Sequence, residues 1–178
     1  MKLKKRVASL LVTFFGVAGL AQAHPIEPFE PASLEQIVAS HHGKPFLLLV
    51  WSMDCKFCQA SLDVLAKARA ADPTLDIVTV TTDPMSDPVL SGQVRTRLAS
   101  LRLLDDAWSY GNEAPERLRY AVDPAWRGEK PRSYWYDATG KRSAYSGLIN
   151  PARLAQWQLV QAKMPAGDRG KKRTSIQP

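Results

Sequence analysis

Cys55 and Cys58, the two cysteines of this chain, stand where one kind of periodicity gives way to another, and that boundary narrows the possible folds. Before them runs an unbroken apolar block, Phe46-Leu47-Leu48-Leu49-Val50-Trp51. Six apolar residues introduced by Lys44-Pro45 read as a central strand covered on both faces. After them, Ser61-Leu62-Asp63-Val64-Leu65-Ala66-Lys67 follows a helical pattern. Leu62, Leu65 and Ala66 fall on the side of Cys58, while Asp63 and Lys67 form an i,i+4 pair elsewhere on the helix. The cysteines therefore lie where a buried strand ends and a helix begins. Free N–H groups in the first turn of a helix favour an anion, so a thiolate is stabilised there. The Cys-x-x-Cys spacing puts both sulfurs on one helical face.

The rest of the chain extends this unit. His24–Ala32 is proline-rich and expected to be extended. Ser33-Leu34-Glu35-Gln36 fits a capping box with Ser33 as N-cap, opening a short helix to about His41. Asp72-Pro73 ends the cysteine helix, and the β-branched run Asp76–Thr82 predicts a second buried strand, parallel to the first. Pro88 suits the first turn of a third helix whose apolar face is Leu90, Val94, Leu98 and Leu101, decorated by Arg95, Arg97 and Arg102. A short strand within Leu103–Tyr110 and a helix from Pro115 to Tyr120 follow. Ser133-Tyr134-Trp135-Tyr136 and Arg142–Ser146 flank Ala138-Thr139-Gly140-Lys141 as a hairpin. Asn150 and Pro151 start a closing helix with inner residues Leu154, Trp157, Val160 and Met164. The order predicts an α/β domain over 24–164, with a mixed four- or five-stranded sheet and helices on both faces.

The formal charge of +7 does not describe that domain. Lys2, Lys4, Lys5 and Arg6 carry four of the charges, and a tail of Arg169, Lys171, Lys172 and Arg173 against Asp168 carries a net three, leaving the middle formally neutral. A nucleic-acid surface is thereby disfavoured. Residues 1–23 have the form of a secretory signal: a basic start, an apolar run and the small-x-small sequence Ala21-Gln22-Ala23. The apolar run is shorter than the roughly 20 residues of a bilayer span, so cleavage is expected rather than an uncleaved anchor. Residues 165–178 read as a polar, basic, disordered tail. An exported, soluble, periplasmic protein is expected. In an oxidising compartment two cysteines can also form a structural staple. A Cys-x-x-Cys loop is too short to restrict the unfolded chain much, which favours a redox role.

Trp51 four residues before Cys55, the cysteine pair itself, and Pro131 just ahead of the Ser133–Tyr136 strand together resemble the thioredoxin fold, and most closely its secreted TlpA-like thiol–disulfide oxidoreductases. The resemblance spans about residues 30–164. It implies a thioredoxin-like α/β domain, a cis peptide bond before Pro131, and a Lys130 main chain exposed beside Cys55 for pairing with a substrate segment. It also implies disulfide-containing protein substrates, cytochrome c biogenesis among the possible settings, and a membrane protein as electron donor. Two departures stand out. Leu49 occupies the position of the buried acid of cytosolic thioredoxins, and Lys56-Phe57 replaces Gly-Pro inside the motif.

The chemistry expected is dithiol exchange with no cofactor beyond the Cys55–Cys58 disulfide. Cys55, at the helix start, is the nucleophile, and Cys58, one turn on, is the resolving thiol. Asp54 opposes the Cys55 thiolate and Lys56 supports it. Trp51, Phe57, Lys130 and Pro131 are the candidate substrate contacts. The chain is expected to act as a monomer and as a reductase, since the motif holds no histidine. A disulfide oxidase, a copper chaperone and a protein-binding module are the alternatives. The histidines available to a metal are His24, His41 and His42, all ahead of the cysteines, and no metal site is expected.

Overall fold

The computed structural model describes residues 25–163, so the signal sequence, Met164 and the basic tail lie outside the described residues. In chain order the elements are β1 (Glu27–Phe29), α1 (Ser33–Ser40), β2 (Phe46–Trp51), α2 (Lys56–Ala71), β3 (Asp76–Thr81) and α3 (Pro88–Ser100). Then come β4 (Ala107–Tyr110), α4 (Pro115–Val122), β5 (Arg132–Tyr136), β6 (Arg142–Ser146) and α5 (Pro151–Lys163).

The strands form one six-stranded sheet in the order β1-β4-β3-β2-β5-β6. β2, β3, β4 and β1 are mutually parallel, and β5 and β6 are antiparallel additions. Every residue of β2 is buried, as its unbroken hydrophobicity requires of a strand covered on both faces. Leu47, Leu49 and Trp51 face a layer with Cys58, Leu62 and Leu65 of α2, Val94 and Leu98 of α3, and Leu154 of α5. Phe46, Leu48 and Val50 face the opposite layer, with Ile37 of α1, Leu118 and Val122 of α4, and Trp126. The period of two along a strand produces this division. Each of these side chains contributes about 1.5–3 kcal/mol by leaving water.

The sheet has one strand more than the upper expectation of five. The added strand is β1, which pairs in parallel with β4 at Glu27↔Trp108, Pro28↔Ser109 and Phe29↔Tyr110. Proline is tolerated there because β1 is an edge strand, and fully buried Phe29 anchors it. The tertiary contact, not local propensity, converts an extended proline-rich segment into sheet.

Three local expectations need correction. Ser33 does not cap α1: the N-cap is Ala32, and Ser33 Oγ instead accepts the Glu30 N–H at 2.9 Å, closing the turn before the helix. Asp63 turns away from Lys67 to meet Arg97 of α3 at 2.8 Å, because a guanidinium offers more donors than an i+4 ammonium. Val160 is half-exposed, and the inner face of α5 is Leu154, Trp157, Gln158 and Gln161. Asn150 caps α5 as expected, accepting from Ala152 and Arg153, and Asp87 caps α3 by accepting the Val89 and Leu90 N–H groups.

Candidate functional site

β2 delivers the chain to the site, and α2 fixes the first cysteine. After Trp51 the chain turns through Ser52-Met53-Asp54, with the Cys55 N–H donating to the Ser52 carbonyl at 3.3 Å. Cys55 is the N-cap of α2, in extended conformation, and its carbonyl accepts from Cys58 and Gln59 at 3.0 and 3.1 Å. Cys55 Sγ accepts the Cys58 N–H at 3.2 Å, so the sulfur takes the place a Ser or Asp oxygen has in an ordinary cap. The two cysteines are joined as a disulfide. Cys58 is fully buried and Cys55 partly exposed, so an approaching group meets Cys55 first.

The turn before Cys55 is held from three sides. The Asp83 carboxylate accepts the Met53 N–H at 2.8 Å and the Thr81 hydroxyl at 2.6 Å, fixing the turn to the end of β3. The Thr82 N–H donates to the Trp51 carbonyl at 2.9 Å. The Gln59 amide donates to the Met53 carbonyl at 3.2 Å and is itself held by Arg97. Sequence reading missed Asp83, Gln59 and Arg97 in this role. Asp83 lies 30 residues from Met53 and Arg97 lies 38 from Gln59, so no local pattern signals these contacts, and Gln59, six residues from Met53, shows no motif of its own.

Pro131 closes the other side. β5 is antiparallel to β2 with Val50 opposite Arg132, so one further step of that register brings Pro131 level with Trp51. The Lys130–Pro131 bond is cis. The loop is anchored by a charge cluster whose centre, Asp123 and Arg132, is largely buried. Arg132 donates to Asp123 at 2.9 Å and to Ser146 at 2.7 Å, and lies 3.5 Å from Glu129. Tyr134 donates to Asp123 at 3.2 Å, and Arg142 approaches the same carboxylate at 3.7 Å. Burial acts to raise the Asp123 pKa, but the bonds from Arg132 and the Ala125 N–H and the charge of Arg142 outweigh it, holding the carboxyl below its ordinary range. Arg132 is thus committed to structure and is not a free cation for acidic substrates.

The other candidates separate by exposure. Phe57, 62% exposed, stands as apolar surface between the cysteines. Lys56 is exposed. Asp54 accepts the Ser52 hydroxyl at 2.6 Å, and this bond, with the nearby charge of Lys130, holds its carboxyl below the ordinary range. Lys130 donates to Thr82 Oγ1 at 3.0 Å, bridging the proline loop and the end of β3. Trp51 is fully buried in the layer that holds Cys58. It offers no surface to a substrate, and the expectation of a contact there is corrected to a core role. His41 lies in the opposite layer, stacked on Phe46 at 4.3 Å and 3.4 Å from Asp106. Phe46 and Trp51 are the two ends of β2, roughly 17 Å apart at strand rise, so His41 is remote from the cysteines.

No protein-family model matches the chain, and no curated protein matches it. Solved structures do. A secreted disulfide oxidoreductase of Mycobacterium tuberculosis, homologous to E. coli DsbE, shares 22% identity at a TM-score of 0.53, over 68% of this chain and 85% of the other. A thioredoxin-like protein solved in its oxidised form shares 20% at 0.54, over 68% and 80%. A thiol:disulfide interchange protein of the thioredoxin family from Chlorobium tepidum shares 18% at 0.52, over 69% and 83%. Likeness at this level of identity concerns backbone architecture, and with the strand order and the Cys-x-x-Cys junction it establishes that this chain has a thioredoxin-like fold.

Proposed function

We propose that the protein is an exported thiol–disulfide oxidoreductase that reduces disulfides in other proteins. One observation carries this reading: a partly exposed Cys55 caps a helix, bonded to a fully buried Cys58 one turn later. A structural staple has no need of that asymmetry, whereas two-step exchange does. In the reduced protein the Cys55 thiolate attacks one sulfur of the partner's disulfide. The Cys55–partner bond forms, the partner's S–S bond breaks, and the second partner sulfur leaves as a thiolate that takes a proton. Cys58, deprotonated in turn, attacks Cys55 Sγ and expels the first partner sulfur. Two electrons pass to the partner, which leaves as a dithiol, and Cys55–Cys58 is left oxidised. A dithiol donor restores the pair, and for a protein outside the cytoplasm a membrane protein is the natural source.

The first-turn N–H groups of α2, including that of Cys58, stabilise the sulfur anion in the first step. Burial of Cys58 keeps its sulfur away from an approaching partner, so the first attack falls to Cys55. Phe57 supplies apolar contact next to the reacting sulfur, and the partner segment lies along Lys130 and Pro131. The protein acts as a soluble periplasmic monomer. Among the described residues no helix is long and apolar enough to cross a membrane, which fits this reading.

Reduction of insulin with a small dithiol as donor tests the activity, and equilibration with glutathione tests the direction. A potential near about −270 mV supports a reductant, and one near about −120 mV an oxidant. Failure to exchange at all removes the proposal.

A further inference from the structure

A depression of about 480 Å3 lies on the α4 side of the proline loop and is used by none of the steps above. Tyr110, Arg119, Trp126 and Lys130 form much of its wall, with Arg127 and Gly128 beside them. Lys130 is shared with the disulfide region, because it bonds Thr82 in this wall and its charge acts on Asp54 next to Cys55. The charge is one-sided: among the described residues Arg119, Arg127 and Lys130 line it against one acid, Glu116. Arg119 also donates to the Trp126 carbonyl.

Tyr110 adds an independent observation. Its side chain is 9% exposed, and its hydroxyl is buried with no hydrogen-bond partner among the described residues. A buried hydroxyl left unpaired is costly, which is why most have partners. Burial pushes the phenol up to about 12, with the charge of Arg119 only partly opposing it, so the group is an O–H donor at neutral pH. A neutral donor next to cations suits an acceptor that is itself an anion.

We propose that this pocket receives the carboxylate of an acidic residue flanking the target cysteine of a disulfide-bearing partner. Arg119 and Lys130 are its charge partners, Arg127 adds to the field, and the Tyr110 hydroxyl, closed to solvent until the carboxylate enters, donates to it. The assignment of the carboxylate to a disulfide substrate rests on the exchange activity proposed above, while the pocket itself does not.

The oxidised full-length protein, titrated with a sulfur-free tetrapeptide that is N-acetylated, C-amidated and contains one Glu as its single carboxylate, reads the pocket directly through the amide of Gly128 and the indole N–H of Trp126 by NMR. The expected result is a saturable shift, about fivefold weaker when Gln replaces Glu and weakened to a similar degree by Arg119→Gln or Tyr110→Phe. Retained spectral dispersion certifies each variant as folded, and Arg127→Gln is the substitute if Arg119→Gln is not. Equal responses to the Glu and Gln peptides, or no response, overturn the pocket. The same shifts from inorganic phosphate at equal concentration overturn it as a peptide site. Since these peptides cannot exchange disulfides, a protein that binds the Glu peptide but reduces nothing keeps the pocket and loses only the substrate assignment.

Discussion

Arg97 of α3 and Gln59 of α2 are joined by two hydrogen bonds: Arg97 Nε donates to Gln59 Oε1 at 2.8 Å, and Nη2 donates to the Gln59 carbonyl at 3.3 Å. Gln59 passes the constraint to the Met53 carbonyl, two residues ahead of Cys55. The same guanidinium holds Asp63 at 2.8 Å. α3 thereby fixes the turn that presents the reactive sulfur. Because both charged partners keep contact with solvent, the net contribution is about 1 kcal/mol rather than the 3 of a buried pair.

Arg97→Ala is therefore expected to reduce urea-unfolding stability by about 1 kcal/mol. It should also raise hydrogen exchange at the amides of Met53 and Cys55 well above the change at β2. Exchange at those amides equal to that of the parent protein would mean that Arg97 does not restrain the turn.

The cysteine pair predicts opposite outcomes for its two conservative variants. Cys58→Ser, which lacks the resolving thiolate, should accumulate a mixed disulfide with an oxidised partner, visible as a heavier band on non-reducing gels. Cys55→Ser should accumulate none, because its remaining thiol is fully buried. Trapping by Cys55→Ser instead would reverse the assigned roles.

The parts of this site that were legible in the sequence are those carried by short-range pattern. The apolar run of β2, the helical period after Cys58 and the proline before β5 each announce themselves within a few residues. What pattern could not give was the destination of individual side chains. Trp51 has the position of a site aromatic, yet the side alternation of β2 sends it into the same layer as Leu47 and Leu49. Nothing local marks Asp123, nine residues earlier, as the residue that pairs with Arg132 across the end of α4. β1 was invisible as a strand because the strand it pairs with, β4, lies some eighty residues away.

Asp54 is the neighbour of Cys55 in sequence and Lys130 lies near enough for its charge to act on Asp54, so the two are expected to bias the Cys55 thiolate in opposite directions. The carboxyl of Asp54 is held ionised by the Ser52 hydroxyl and the charge of Lys130, so its negative charge persists throughout the range in which a thiol titrates. Asp54→Asn should lower the Cys55 pKa and stabilise the reduced form, moving the potential by about 10–20 mV in the oxidising direction, as a solvent-screened interaction of this kind allows. Lys130→Met should move both quantities the other way. Thiolate ultraviolet absorbance against pH, with glutathione equilibration, measures the two, and shifts of the same sign in both variants would refute the opposition.

Asp123 gives a stability dependence whose sign is fixed by the cluster around it. Its side chain is 8% exposed and that of Arg132 14%, so the ion pair is shielded. Asn retains an acceptor but removes the charge, and Asp123→Asn is expected to cost about 2–3 kcal/mol at pH 7, less than the 3–5 of leaving a buried charge with no partner at all. The folded-state pKa of Asp123 is depressed, so this stabilisation is fully present above the unfolded value of about 3.9 and is lost as pH falls through the lower folded value. The stability gap between parent and Asp123→Asn should therefore hold steady from pH 7 to about 5 and narrow below about 4. Glu129 also contacts Arg132, but it titrates in both proteins, so the parent-minus-variant difference isolates Asp123 to first order. Urea midpoints at pH 7, 5, 4 and 3 read that difference directly, and a gap that widens on acidification would show that Asp123 is held neutral rather than charged.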